Sequence, residues 1–193
     1  MARPKNPQRT SDLLDAAAQV LQERGIAGVT LRPLAAELGV SPRTLLYHFG
    51  SKEKLITQAI RNLRHQQPTL AKALAPDQQP STGAVALGEV VRSMWEEQKQ
   101  EQARPFLALY FELAALAIRD PDTYGTMLHE LDHEWTDAIT SHLQTRGLDA
   151  HEAASRMKML MIRYRGALHY GLVTGDWDAA DAAIHAAVGA TDV

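Results

Sequence analysis

Residues 30 to 55, TLRPLAAELGVSPRTLLYHFGSKEKL, constrain this chain more than any other stretch. They read as three short helices, the first two separated by a tight glycine turn. Thr30 is a good N-cap, and Leu34, Ala35 and Leu38 follow at helical spacing. Pro33 falls in the first turn, where its missing N–H would have had no intrahelical partner. Gly39 supplies a left-handed stop and Val40 fills the corner. Ser41 caps the next helix, with Pro42 at its first position. Gly50-Ser51 ends that helix and caps another beginning at Lys52. Upstream, Thr10 or Ser11 is the expected start of a first helix with the apolar stripe Leu13, Leu14, Ala17, Val20 and Leu21, closed by Gly25. The spacing predicts a helix-turn-helix unit with a longer helix leaving it, the arrangement that sets one helix into the major groove of DNA.

At about 100° of rotation per residue, Leu45, Leu46 and Phe49 share an arc wide enough to dock on the preceding helices. Arg43, Thr44, Tyr47 and His48 then occupy the opposite arc. These are a base-edge donor, a small hydroxyl with a methyl, and two rings able to reach phosphate or base. A merely solvated face would more usually carry Glu and Lys, and this one carries no acid. Arg32, Arg43 and Lys52 all lie in the first turns of their helices, where the macrodipole disfavours a cation by ~0.3–1 kcal/mol each. Three such placements within one short stretch point to an anionic partner, and phosphates at helix N-termini fit.

Charge is divided along the chain. Net charge is -3, but residues 1–65 hold 10 Lys+Arg against 5 Asp+Glu, a balance of +5, and the remainder holds 10 against 18, a balance of −8. A basic head on an acidic body suits a module that grips nucleic acid and a body that stays off it. Arg3, Lys5 and Arg9 read either as an arm tracking the DNA backbone or as a solvated tail. The chain has no cysteine, which removes disulfides and thiolate metal sites. It has no long apolar run and no signal-peptide core, so a soluble, cytoplasmic protein without membrane partners is expected.

Residues 10 to 64 resemble the DNA-binding domain of the tetracycline-repressor (TetR) family. The carriers are the first helix ending in Gly25, V-T-L-R at 29–32, L-A-A-E-L-G-V-S at 34–41, T-L-L-Y-H-F at 44–49 and S-K-E-K-L at 51–55. The resemblance implies an all-α homodimer, with an N-terminal helix-turn-helix domain (1–65) and a C-terminal helix-bundle domain for ligand binding and dimerisation (66–193). It also implies DNA contacts from Arg32, Ser41, Pro42, Arg43, Thr44, Tyr47 and His48, and a phosphate contact from Lys52. Where the family usually has an aromatic, this chain has Leu46. The function implied is a transcriptional regulator, a repressor on a palindromic double-stranded operator, released by a small-molecule effector.

In the acidic body, residues 66–83 read as a loop, and helices are expected over 84–102, from Pro105 to Arg119, from Asp120 to about Arg146, over 151–173 and over 177–189. The 151–173 segment is apolar on two faces, one broad face with Ala153, Met157, Leu160, Met161, Tyr164, Ala167, Leu168 and Gly171, another with Met159, Gly166 and Tyr170. That is more apolar surface than one monomer core needs; the 151–173 and 177–189 pair reads either as a central core helix with its neighbour or as the dimer contact, a four-helix bundle across a twofold axis, and the resemblance favours the dimer. Met94, Trp95, Phe106, Tyr110, Met127, Leu131 and Trp135 are candidate pocket lining, although such residues at helical spacing more often form plain core. Arg163 and Arg165 are candidates for an anionic ligand or for surface ion pairs. The rival reading is a helical metalloprotein using His129 and His133, whose i, i+4 spacing suits zinc; both fall off the apolar stripe of their helix and no thiolate or HExxH pattern accompanies them. No nucleophile elbow, phosphate loop or dinucleotide fingerprint is present, so neither catalysis nor a cofactor is expected.

Overall fold

Asn6 opens the first helix. Its side chain accepts from the amides of Gln8 at 3.1 Å and Arg9 at 3.5 Å, and Pro7 fills the first helical position, so α1 runs Pro7–Arg24. That is earlier than the Thr10 or Ser11 start expected above. The Asn-Pro pair is the same cap-and-proline signal as Ser41-Pro42, and the Thr10 hydroxyl donates back to the Asn6 carbonyl at 3.1 Å from inside the helix.

The computed structural model describes residues 6–66, 87–145 and 147–189, and every regular element among them is helical. After α1 come α2 (Leu31–Glu37), α3 (Pro42–Phe49), α4 (Lys52–His65), α5 (Leu87–Lys99), α6 (Arg104–Arg119), α7 (Thr126–Thr145), α8 (Ala150–Thr174) and α9 (Trp177–Gly189). The expected all-α fold with an N-terminal helix-turn-helix is thus what the chain adopts. Most of the loop expected over 66–83 lies outside the described residues, as do Arg3 and Lys5 and the first residues of the 84–102 segment. The helix expected from Asp120 to about Arg146 is divided. Asp120 caps as anticipated, accepting from the Thr123 amide at 3.1 Å, but Pro121–Gly125 form a wider π-type turn before α7 begins.

The helices gather into two compact units that do not follow chain order. One joins Met1–Gln66 to Arg104–Leu131; the other joins Gln67–Ala103 to Asp132–Val193. The grouping by contacts differs from the division expected at residue 65, because α6 packs with the head.

In the first unit, Leu13, Ala17 and Leu21 of α1 are buried with Leu55, Ile56, Ala59 and Ile60 of α4, and Leu34, Leu45 and Phe49 close the core from α2 and α3. Fully burying each large aliphatic contributes roughly 1.5–3 kcal/mol. Polar ties fix the register: Asn62 donates to Asp15 at 2.7 Å, and Arg24 pairs with Glu37 at 2.9 Å. The buried Arg64 donates to the Leu131 carbonyl at 2.5 Å, joining the end of α4 to α7 within this unit.

In the second unit, α9 packs on α8 and α5. Trp95 lies edge-on to Tyr164 and Trp177, with ring centroids 5.5 and 6.2 Å away. Its indole N–H donates to Asp181 at 2.6 Å, and Lys99 reaches both oxygens of the same carboxylate at 3.0 Å. Arg165 of α8 pairs with Asp132 of α7 at 2.5 Å, so it spends its charge on an acid, while Arg163 is exposed.

Candidate nucleic-acid interface

The turn between α2 and α3 is made by Gly39, whose φ of 64 is left-handed and suits glycine. Val40 N–H donates to the Ala35 carbonyl at 2.9 Å, closing the corner. Ser41 then caps α3, its hydroxyl accepting from the Thr44 amide at 3.1 Å and lying 2.8 Å from the Thr44 hydroxyl. Both hydroxyls are therefore set at the start of the helix by their own cap. Ser51 repeats the device for α4, accepting from the Lys54 amide at 3.1 Å.

The face that α3 turns outward differs from the expected one. Leu45 and Phe49 are buried as anticipated, but Leu46 is 41% exposed and His48 only 8% exposed. The supported arc is His48, Leu45 and Phe49, rotated by about 50° from the expected arc, half a residue step of helix. The cause lies in α1. His48 Nδ1 sits 2.7 Å from the Thr10 hydroxyl, within hydrogen-bond distance, and the same hydroxyl lies 3.1 Å from the Asn6 carbonyl. A polar partner inside the head draws the ring inward and Leu46 is turned out in exchange. The resulting outward face holds Arg43, Leu46 and Tyr47, with Pro42 and Thr44 half-exposed at its edges.

Arg32, Arg43 and Lys52 are the second, second and first residues of α2, α3 and α4. Arg32 and Arg43 are exposed and Lys52 is half-exposed. Among the described residues no ion pair neutralises any of the three. Neither α2 nor α3 has an acid in its first turn. A cation at the positive end of a helix with no carboxylate nearby is an unfavourable placement that an external anion would relieve.

The other expected site residues fall as follows. Met94 and Trp95 are buried in the second unit; Phe106, Met127 and Leu131 are buried in the first, with Tyr110 half-buried there; the Trp135 side chain lies outside what is described. His129 and His133 are both exposed, and His133 Nδ1 lies 2.7 Å from Asp137 on its own helix. Among the described residues no cluster of three or more His, Cys, Asp or Glu is placed to hold a metal ion.

Three features escaped the sequence reading. The Tyr164 hydroxyl and the Gln98 amide oxygen are buried and find no hydrogen-bond partner among the described residues. Burial, aided by the nearby Glu97 charge, pushes the Tyr164 pKa up, so this hydroxyl stays protonated. Glu112 of α6 reaches back to the backbone of the turn after α1. A lone tyrosine, glutamine or glutamate in a helical pattern carries no local signal of such a partner or lack of one.

These features define a helix-turn-helix protein with an outward, acid-free third helix. Residues 13–59 match the family described as bacterial regulatory proteins, tetR family. Over 57 residues the chain is 42% identical to the HTH-type transcriptional regulator BetI of Brucella anthropi, a match covering 30% of this chain and 29% of that protein. The chain thus spans less than a third of the length of the curated relatives it matches. A solved member of the TetR family from Streptomyces coelicolor shares the fold with a TM-score of 0.67 and 25% identity, covering 94% of this chain and 96% of that one. The multidrug binding protein EbrR complexed with imidazole gives 0.62 and 25% over 94% and 96%. The N-terminal unit is thus similar to the DNA-binding part of TetR-family regulators, and the described fold is one that solved members of that family share. Among the described residues no helix is long and apolar enough to cross a membrane.

Proposed function

We propose that this protein is a DNA-binding transcriptional regulator, a repressor that grips a palindromic operator as a homodimer and lets go when a small molecule binds. The observation that carries the reading is the outward face of α3: Arg43 and Tyr47 exposed on a helix that carries no acid, with Arg32 and Arg43 in the first turns of α2 and α3, where no acid offsets them. In this reading Arg43 takes a base edge, Thr44 and Tyr47 take bases or backbone, and Ser41, Pro42, Arg32 and Lys52 meet sugar and phosphate. His48, held to Thr10, orients the helix from behind.

The homodimer is supported by α8. Opposite its buried face lie Met159, Ile162, Tyr170 and Val173, of which Ile162 is 60% and Val173 71% exposed, with Gly166 open between them. A contiguous apolar strip with a glycine at its centre suits close crossing of a second copy of the same helix. The effector is supported by the Tyr164 hydroxyl, whose ring lies edge-on to Trp95, and by the Gln98 oxygen, two buried polar groups without a hydrogen-bond partner among the described residues that an effector's polar atoms would satisfy. Each unsatisfied group otherwise costs roughly 1–3 kcal/mol.

Titration into random-sequence duplex DNA at rising salt tests the proposal. Retention should weaken steeply with salt, as phosphate-driven binding must. A small molecule that raises the melting temperature should also loosen that retention. Binding that ignores salt, or its absence, would refute the assignment.

A further inference from the structure

Helix α6 belongs to the same compact unit as the reading head, and one of its side chains does more than pack. The Ile26 amide donates to both oxygens of the Glu112 carboxylate at 2.9 and 2.8 Å, and the Ala27 amide donates to Oε1 at 2.9 Å. We infer that Glu112 is a positioning residue for the reading head: it clasps the turn after α1 and so sets where α2, and α3 resting on it, stand. The inference rests on the DNA-binding reading above and adds a residue well outside the helix-turn-helix to it.

The chemistry is specific to an acid. The Gly25 amide has already given its hydrogen to Leu21 at 2.8 Å, and the next two amides leave the helix with no carbonyl of their own turn to meet. Two successive N–H groups pointing the same way form a small anion-binding nest, which a carboxylate fills with charge-assisted bonds. The sequence makes room for it at Gly25. A Cβ there would lie 2.7 Å from a Glu112 oxygen, and its φ of +75 is one that side-chain-bearing residues rarely adopt. An apolar residue at 112 would give α6 a packing contact but would leave both amides unpaired.

The clasp bears directly on the recognition elements. Ile26 and Val29 of the clasped turn are buried in the head, and Leu31 begins α2 two residues later. Helix α2 in turn packs on α3. A loosened turn therefore moves the start of α2, with Arg32 on it, and the support of α3, while Lys52 at the start of α4 keeps its place.

The test compares the intact parent with Glu112→Gln and Glu112→Ala, at a temperature where circular dichroism shows all three folded. Amide exchange is read at Ile26 and Ala27, and affinity is read for a selected operator and for a scrambled duplex of equal length. Exchange at both amides should quicken. Operator affinity should fall on the order of tenfold for Glu112→Ala, the range typical of coupling between sites. Glu112→Gln should fall between, since it keeps one acceptor oxygen but turns an NH2 toward the Ile26 N–H. Affinity for the scrambled duplex, set by phosphate contacts that need no fixed register, should fall much less. Should Glu112→Ala fail to fold, the Gln variant decides alone. Quickened exchange with undiminished discrimination would reduce the clasp to a structural tie and overturn the inference, leaving DNA binding intact. A parent that discriminates no duplex overturns the DNA reading and this inference together.

Discussion

Arg43 and Lys52 stand in equivalent places, near the starts of α3 and α4, yet the account gives them different work. Arg43 is exposed on the outward arc of α3 beside Leu46 and Tyr47, where a guanidinium fork can read a guanine edge. Lys52 is a flexible point charge at the start of the next helix, suited to phosphate. Arg43→Ala should therefore cost ~1–3 kcal/mol on the operator and relax base preference. Lys52→Ala should weaken all duplexes alike and reduce the salt slope by about one unit. Competition binding against operators changed one base pair at a time separates the two. If the Arg43 variant ranks those operators as the parent does, Arg43 is not a base reader. His48 shows where side-chain pattern alone misleads at this scale. Its place on the helical wheel borders the apolar arc, and whether it turns in or out depends on a hydroxyl at Thr10, 38 residues earlier.

At the scale of elements, caps and turns were written plainly. Ser41-Pro42, Gly39, Gly50-Ser51, Asp120-Pro121 and Gly175 all act where the local sequence puts them, because a cap is decided within four residues. What stayed hidden was long-range: the Glu112 clasp on α1's turn, the Arg64 bond to Leu131, and the grip of Trp95 and Lys99 on Asp181 across more than 80 residues. Asp181 makes a prediction of its own. Burial works against its charge, but hydrogen bonds from Trp95 and Lys99, with the Lys99 and His185 charges, outweigh it and bring its pKa below the ordinary value. A carboxylate whose folded pKa is depressed stabilises the fold above its unfolded value of about 3.9, and that contribution disappears as pH falls below it through the folded value. Asp181→Asn should accordingly melt below the parent at neutral pH, and the gap should close on acidification through pH ~4 and below. Parallel melting curves down to pH ~3 would show that Asp181 does not hold α5 to α9 by its charge.

At the scale of the whole molecule, charge asymmetry and helical pattern made the class legible, and the resemblance over residues 10–64 pointed to the family whose pattern residues 13–59 match. The grouping of α6 with the head was not legible, since nothing in a helix's own period says which neighbour it will choose. A homodimer joined through the exposed strip of α8 would present two α3 helices related by a twofold axis, and DNA selected by such a dimer must carry the same symmetry. Ile162→Glu, which places a charge on that strip, should yield a monomer that selects a single half-site weakly.

Sequencing the duplexes that the protein enriches from a random pool decides whether α3 reads DNA. Two inverted copies of one short motif should emerge, centred one helical turn, about 34–36 Å, or a multiple apart, and the motif should blur when Arg43→Ala replaces the parent. A pool that comes through unenriched would contradict the claim that the outward face of α3 reads DNA.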